Sequence, residues 1–233
     1  PDAARDTTGN VWVFQGSGKF YTDIDKTVTS DQVFLGLKDK GITVAVGSLY
    51  DATSVPTTGD VTGTAEVCAY DSATGVFGLE TVVTSVKPTS TTPAVDNEGW
   101  KIFLTNGERV ISRPLAVGGL VDFLSYKPEA DVCSYGGNTY LYAVGYTTGV
   151  ASSNVPIRAP EATSSPTGNV TVHKSVLLGP GAPPMGEAII IPPPKPDQEK
   201  LKKKIQIATG VIVEAENNPV YSIISKVMHW LKK

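Results

Sequence analysis

Apolar residues in this chain come in short runs, many alternating with polar ones, and glycine-centred turns cut the runs apart. Turn signals stand at Thr8-Gly9-Asn10, Ala73-Thr74-Gly75, Asn106-Gly107, Gly118-Gly119, Gly136-Gly137, Thr148-Gly149, Thr167-Gly168 and Thr209-Gly210. Between them the pattern predicts strands over Val11–Phe14, Gln32–Leu37, Ile42–Val46, Thr64–Tyr70, Val76–Val86, Trp100–Leu104, Glu108–Val117, Leu120–Tyr126, Thr139–Tyr146, Val172–Leu178, Glu187–Ile191, Lys203–Ala208 and Val211–Glu216. Many short strands at this spacing indicate an all-β chain built as a sandwich, barrel or propeller. The most readable hairpin turns at Gly118-Gly119, since glycine reaches the positive φ of a tight primed turn without strain. Pro114 lacks an amide proton and marks its strand as an outer or bulged one. In Tyr221–Leu231 a helical and a period-two face fit equally well.

Three stretches are predicted as loops: Pro88–Glu98, Asn154–Gly168 and the Pro/Lys-rich Pro192–Lys204, an exposed connection within a single domain spanning 1–233. Residues 195–233 carry eight Lys against four acids, +4, while the remainder sums to −7, for −3 overall. The ordinary reading of the lysines is a solvated loop; a docking surface for an acidic partner or anionic lipid is the alternative. The whole chain has no basic field for nucleic acid. No apolar run approaches the ~18–20 residues of a membrane-spanning helix. Hydrophobic residues at 40 % and charged ones at 18 % exclude a disordered chain. The first residue is Pro1 rather than Met, which leads us to expect a processed chain or part of a longer one.

Candidate chemistry is sparse. Gly16-Ser17-Gly18-Lys19 has the look of a phosphate loop, but Val13 stands where its first glycine belongs and Phe20 where a magnesium-binding hydroxyl belongs. Asp23, Asp25, Thr27, Thr29 and Asp31 alternate like calcium ligands, yet Val28 and Phe34 occupy the glycine and bidentate-acid positions. Asn169-Val170-Thr171 is a formal glycosylation sequon. His173 and His229 sit in β-prone runs with no nucleophile motif nearby and are expected to be ordinary strand residues. Trp12, Trp100 and Trp230 are expected to pack in the core. Cys68 and Cys133, the only cysteines, lie too far apart for a local zinc motif and form either one disulfide or two buried thiols. No catalytic, cofactor-binding or metal-binding residues are assigned.

Several ordered segments resemble the C-terminal domain of the PilC/PilY family, adhesins associated with the tip of type IV pili. GSGKFYTDIDKT at 16–27 follows VWVF and precedes VFLGLKD. GWKIFLTNGER at 99–109 leads into a Pro114–Phe123 hairpin, a Pro128–Gly137 loop containing Cys133, and YLYA at 140–143. LGPGAPP at 178–184, KIQIATGVIVE at 204–214 and HWLK at 229–232 are similar to the family's late segments; the last comparison favours strand for Tyr221–Leu231. The resemblance implies the C-terminal part of a modified β-propeller, exported through the periplasm to the pilus tip or bacterial surface. It implies support of pilus assembly and adhesion without catalysis or cofactor. Minor pilins, or the remaining N-terminal part of the same protein, are the implied partners, with a host or surface ligand as a further one. An exported location selects the Cys68–Cys133 disulfide. The family's calcium loop lies upstream of these motifs, so no residue here inherits that role. On ~40–50 residues per blade the chain supplies four to five blades and leaves strand edges for partners. A quinoprotein-like propeller dehydrogenase and a purely structural cap for a minor-pilin complex are the alternatives.

Overall fold

Alternating apolar residues produce a strand-dominated chain, with no α-helix among the described residues. The computed structural model describes residues 1–71, 76–89, 98–129, 136–152, 168–183, 189–191, 201–206, 208 and 212–217. In chain order the strands are β1 (Asp2–Arg5), β2 (Val11–Gly16), β3 (Gln32–Lys38), β4 (Tyr50–Asp51), β5 (Thr57–Asp71), β6 (Val76–Pro88), β7 (Gly99–Leu104), β8 (Arg109–Val110), β9 (Leu115–Val117), β10 (Leu120–Pro128), β11 (Gly137–Gly145), β12 (Asn169–Val172), β13 (Ser175–Pro180), β14 (Ile189–Ile191), β15 (Leu201–Gln206) and β16 (Ile212–Asn217). Short 3-10 turns occupy Asp23–Thr27 and Val46–Ser48.

Four sheets result. Sheet I runs β1-β2-β3-β7-β4, and sheet II runs β13-β11-β10-β8 with β9 also on β10. Sheet III is β12-β5-β6 and sheet IV is β14-β15-β16. Every pairing is antiparallel except β4 with β7.

Side-chain alternation dictates how the sheets stack. In sheet I the even-numbered Trp12, Phe14, Phe34, Trp100, Ile102 and Leu104 are buried, while Val13, Val33 and Leu35 on the opposite parity are half-buried. The buried face packs on Val121, Phe123, Val144 and Tyr146 of sheet II and its following turn. Phe34 stacks on Phe123 with centroids 3.7 Å apart, and Phe123 stacks on Tyr142 at 4.6 Å. The other face of sheet II buries Leu124, Leu141 and Ala143 against Ile205 of sheet IV. Sheet II is thus covered on both sides, and Leu120 to Tyr126 is an unbroken buried run.

Trp100 sits where sheets I and II meet, fully buried. Its indole lies over Gly36, its register partner on β3, and a Cβ there would run into the ring. Gly149, at φ +70°, approaches the indole from the turn after β11, where a Cβ would stand 2.6 Å from Cδ2 and Cε3. The indole N–H donates to the Tyr146 carbonyl at 2.8 Å.

Several boundaries differ from expectation. Ile42–Val46 forms no strand: both edges of β3 are already taken, by β2 and β7. The chain instead crosses toward the far edge of β7 and leaves Ile42 and Val46 exposed. The expected strand Glu108–Val117 breaks at Ile111–Pro114, so β8 and β9 pair separately with β10 and only Arg109 and Val110 of its first half are buried strand residues. Val172–Leu178 likewise splits at His173–Lys174, with β12 in sheet III and β13 in sheet II. Leu201–Lys204, expected as the end of a loop, opens β15. Its register sets Lys202 across from Glu216 and Lys204 across from Glu214, so two of the eight lysines stand opposite acids in the ladder. Gly118 and Gly119 do form the two-residue primed turn, at φ 58° and 89°. Residues 192–200 and Tyr221–Leu231, with His229 and Trp230, lie outside the described residues.

Trp100→Ala removes a fully buried indole between two sheets and is expected to cost about 3–5 kcal/mol. A denaturant titration with an unchanged midpoint would contradict this account of the core.

Candidate functional site

The glycine-rich and aspartate-rich motifs converge on β8, and their geometry is structural. Gly16 and Gly18 have no room for a side chain, because a Cβ would strike Val110 at one and Arg109 at the other. Ser17 joins the sheets between them. Its N–H donates to the Val33 carbonyl, its hydroxyl accepts from the Val33 N–H, and its carbonyl accepts from the Val110 N–H at 3.1 Å. No phosphate cradle is built here: these backbone groups are used within the protein.

Arg109 fixes the segment that follows. It is buried, and its guanidinium donates to the carbonyls of Gly107, Lys19, Asp25 and Val28 at 2.6–3.0 Å. Burial pulls its pKa down while Asp25 opposes that shift. The Asp25 carboxylate accepts from the N–H groups of Tyr21 (2.9 Å) and Thr22 (3.0 Å), the second contact capping the 3-10 turn. These bonds, Tyr21's first, hold the Asp25 carboxyl below its usual value, with Lys19 adding a charge at 3.6 Å. Of the alternating acids Asp25 is therefore part of a clasp, and the described residues contain no group of three or more potential metal ligands.

A second location has a different character. A cleft of about 350 Å³ opens where residues 53–56, β7, Glu108, Tyr142 of β11 and the β12–β13 turn meet. The 53–56 segment is held against β7 by the Phe103 N–H on the Thr53 hydroxyl at 2.9 Å. Asn106 and Gly107, both at positive φ, make the primed turn that delivers Glu108. One Glu108 oxygen accepts from the Ser125 hydroxyl at 2.5 Å and the Tyr142 hydroxyl at 2.9 Å. Burial and then the Glu108 charge push the Tyr142 pKa up. Also in the lining, the Lys174 ammonium donates to the Ala52 carbonyl and, at 3.0 Å, to that of Thr53. Burial pulls its pKa down to about 8, against the opposing effect of Asp51. His173 also lines the cleft. It is exposed between two strands rather than lying within one, because the chain changes sheets at this point.

Sequence reasoning missed this cleft. Its residues come from five separate stretches, and the one local signal, His173-Lys174 interrupting an apolar run, reads equally well as the polar positions of a strand. Of the expected disulfide pair, Cys68 stands on β5 across from Leu79, while Cys133 and the Cys68 side chain lie outside the described residues. No protein-family model, curated protein or solved structure matches the chain.

Asp25 has a folded-state pKa below its unfolded one, so its contribution to stability is complete above about pH 4 and is lost as the pH falls through the folded value. Thermal melts should show Asp25→Asn less stable than the parent near neutral pH, with the gap closing in acid. A gap independent of pH would remove the clasp.

Proposed function

We propose that this chain is a non-catalytic surface protein of the type IV pilus system, supporting pilus assembly and adhesion as part of a β-propeller. One observation carries the reading. Two of the segments behind the resemblance meet at β8, where Gly16–Gly18 lies against Arg109 and Arg109 clasps the Asp25 turn, and the second of them also places Trp100 between the sheets. These two segments thus behave as one packing unit. The face-to-face succession of sheets I, II and IV is also the way neighbouring propeller blades stack. Propeller blades close in a ring, and in this reading further blades come from the rest of a longer protein or from a minor pilin.

The long β5–β6 hairpin supplies an interaction element. Beyond its base, where β12 pairs with Thr57–Asp60, β5 and β6 pair only with each other among the described strands. At ~3.3 Å per residue this ribbon extends on the order of 35 Å, with backbone edges suited to strand addition by a partner.

Antibodies against the chain should decorate pilus ends by immunogold microscopy in its source bacterium, and deleting the gene should reduce surface pili. Cytoplasmic label with undiminished piliation would overturn the reading. A separate consequence of export is the Cys68–Cys133 disulfide, tying β5 to the stretch of chain between β10 and β11. Thiol titration of denatured, unreduced protein should find no free cysteine, and two reactive thiols would refute the bond.

A further inference from the structure

We infer that the cleft between β7, β11 and the β12–β13 turn binds a saccharide bearing a carboxylate, with Lys174 taking the carboxylate, Glu108 accepting sugar hydroxyls and Phe103 offering its ring to the sugar face. Five features argue for this ligand class. The cleft, about 350 Å³, falls at the small end of ligand sites. Its walls mix hydrocarbon from Ile102 and Phe103 with hydroxyls from Thr53 and Ser175, which suits a molecule with apolar ring faces and a polar rim.

Glu108 is fixed before any ligand arrives. Both hydroxyl donors, from Ser125 and Tyr142, fall on the same carboxylate oxygen. Its second oxygen has no bonded donor among the described residues and remains an acceptor for sugar hydroxyls, in a charge-assisted bond of the stronger kind.

Lys174 supplies the anion preference. Its ammonium has three donors, of which two meet carbonyls. Among the described residues no carboxylate lies within ion-pair distance of it, so this part-buried cation is compensated at close range by two carbonyl dipoles, with Asp51 acting only from farther away. A ligand carboxylate would supply the missing counter-charge and use the third donor. Phe103, 38 % exposed because the two-residue β4 ends before it, has the Lys101 ammonium 5.6 Å from its ring centroid and lines the same cleft.

The inference deepens the adhesion reading by naming what the surface protein grips. Pilus labelling without sugar binding would remove the cleft assignment alone, and sugar binding without pilus labelling would remove the pilus assignment alone. The test is calorimetric titration of the full chain with methyl β-glucuronide, N-acetylneuraminic acid, methyl β-glucoside and acetate. At least one acidic sugar should bind with a dissociation constant of ~1 mM or tighter, and the glucoside and acetate about tenfold more weakly. Lys174→Met should reduce acidic-sugar affinity to that of the glucoside, and Phe103→Ala should weaken it about tenfold. If a variant does not fold, the unmodified chain decides by itself. No acidic-sugar binding up to ~10 mM, equal affinity for glucuronide and glucoside, equal affinity for acetate, or unchanged affinity in a folded Lys174→Met protein would each overturn the assignment.

Discussion

The indole of Trp100 fills space that two glycines leave open, and the packing of sheets I and II depends on that exchange of volume. Gly36 lets the ring lie over β3, and Gly149 lets the turn after β11 close over it. Each residue is explicable only through the others: a glycine in mid-strand weakens β3 locally, and burying an indole N–H without an acceptor is costly. The Tyr146 carbonyl meets the second requirement. Phe14 and Phe34 lie at 6.3 and 5.9 Å from the ring, so the aromatic core extends from this point through Phe123 to Tyr142. Tyr142 in turn holds Glu108. A chain of packed rings thereby connects the sheet junction to the cleft wall.

Arg109 does with hydrogen bonds what Trp100 does with volume. An irregular segment such as 19–28 leaves backbone carbonyls without sheet partners, and those that become buried must find donors. A planar guanidinium supplies several donors from one side chain. The cost of burying its charge is shared among four carbonyl dipoles and the nearby Asp25. Glycines at 16 and 18 follow from the same constraint, because β8 must come close for Arg109 to reach the segment. A glycine-rich turn and an aspartate-rich loop, the two features closest to known ligand-binding motifs, are thus accounted for by internal satisfaction.

Much of the strand content was legible because period-two alternation reports a sheet with one buried face. That condition holds in sheet I, where Val11–Phe14 and Gln32–Leu37 were placed nearly to the residue. It fails where topology overrules pattern. Ile42–Val46 alternates well but has no free edge to join. Val172–Leu178 alternates across a point where the chain leaves one sheet for another. The short β1 was missed since Asp2–Arg5 holds no strong β-former; its pairing with β2 is fixed by the turn, where the Asp6 carboxylate accepts from Thr8, Asn10 and Trp12.

The cleft was illegible for a related reason. Sequence patterns report local periodicity, whereas the cleft is a product of interruptions: the Asn106-Gly107 turn, the 53–56 segment and the break at His173–Lys174. Each interruption frees a polar side chain from sheet alternation, and stacking brings the freed groups together. Glu108 and Lys174 then acquire opposite environments. Glu108 accepts from two hydroxyl donors, while Lys174 has burial that disfavours its charge. An acceptor held by two hydroxyls and a partly desolvated cation in the lining of one cleft form a polarised recess, a property that no single segment of the chain encodes.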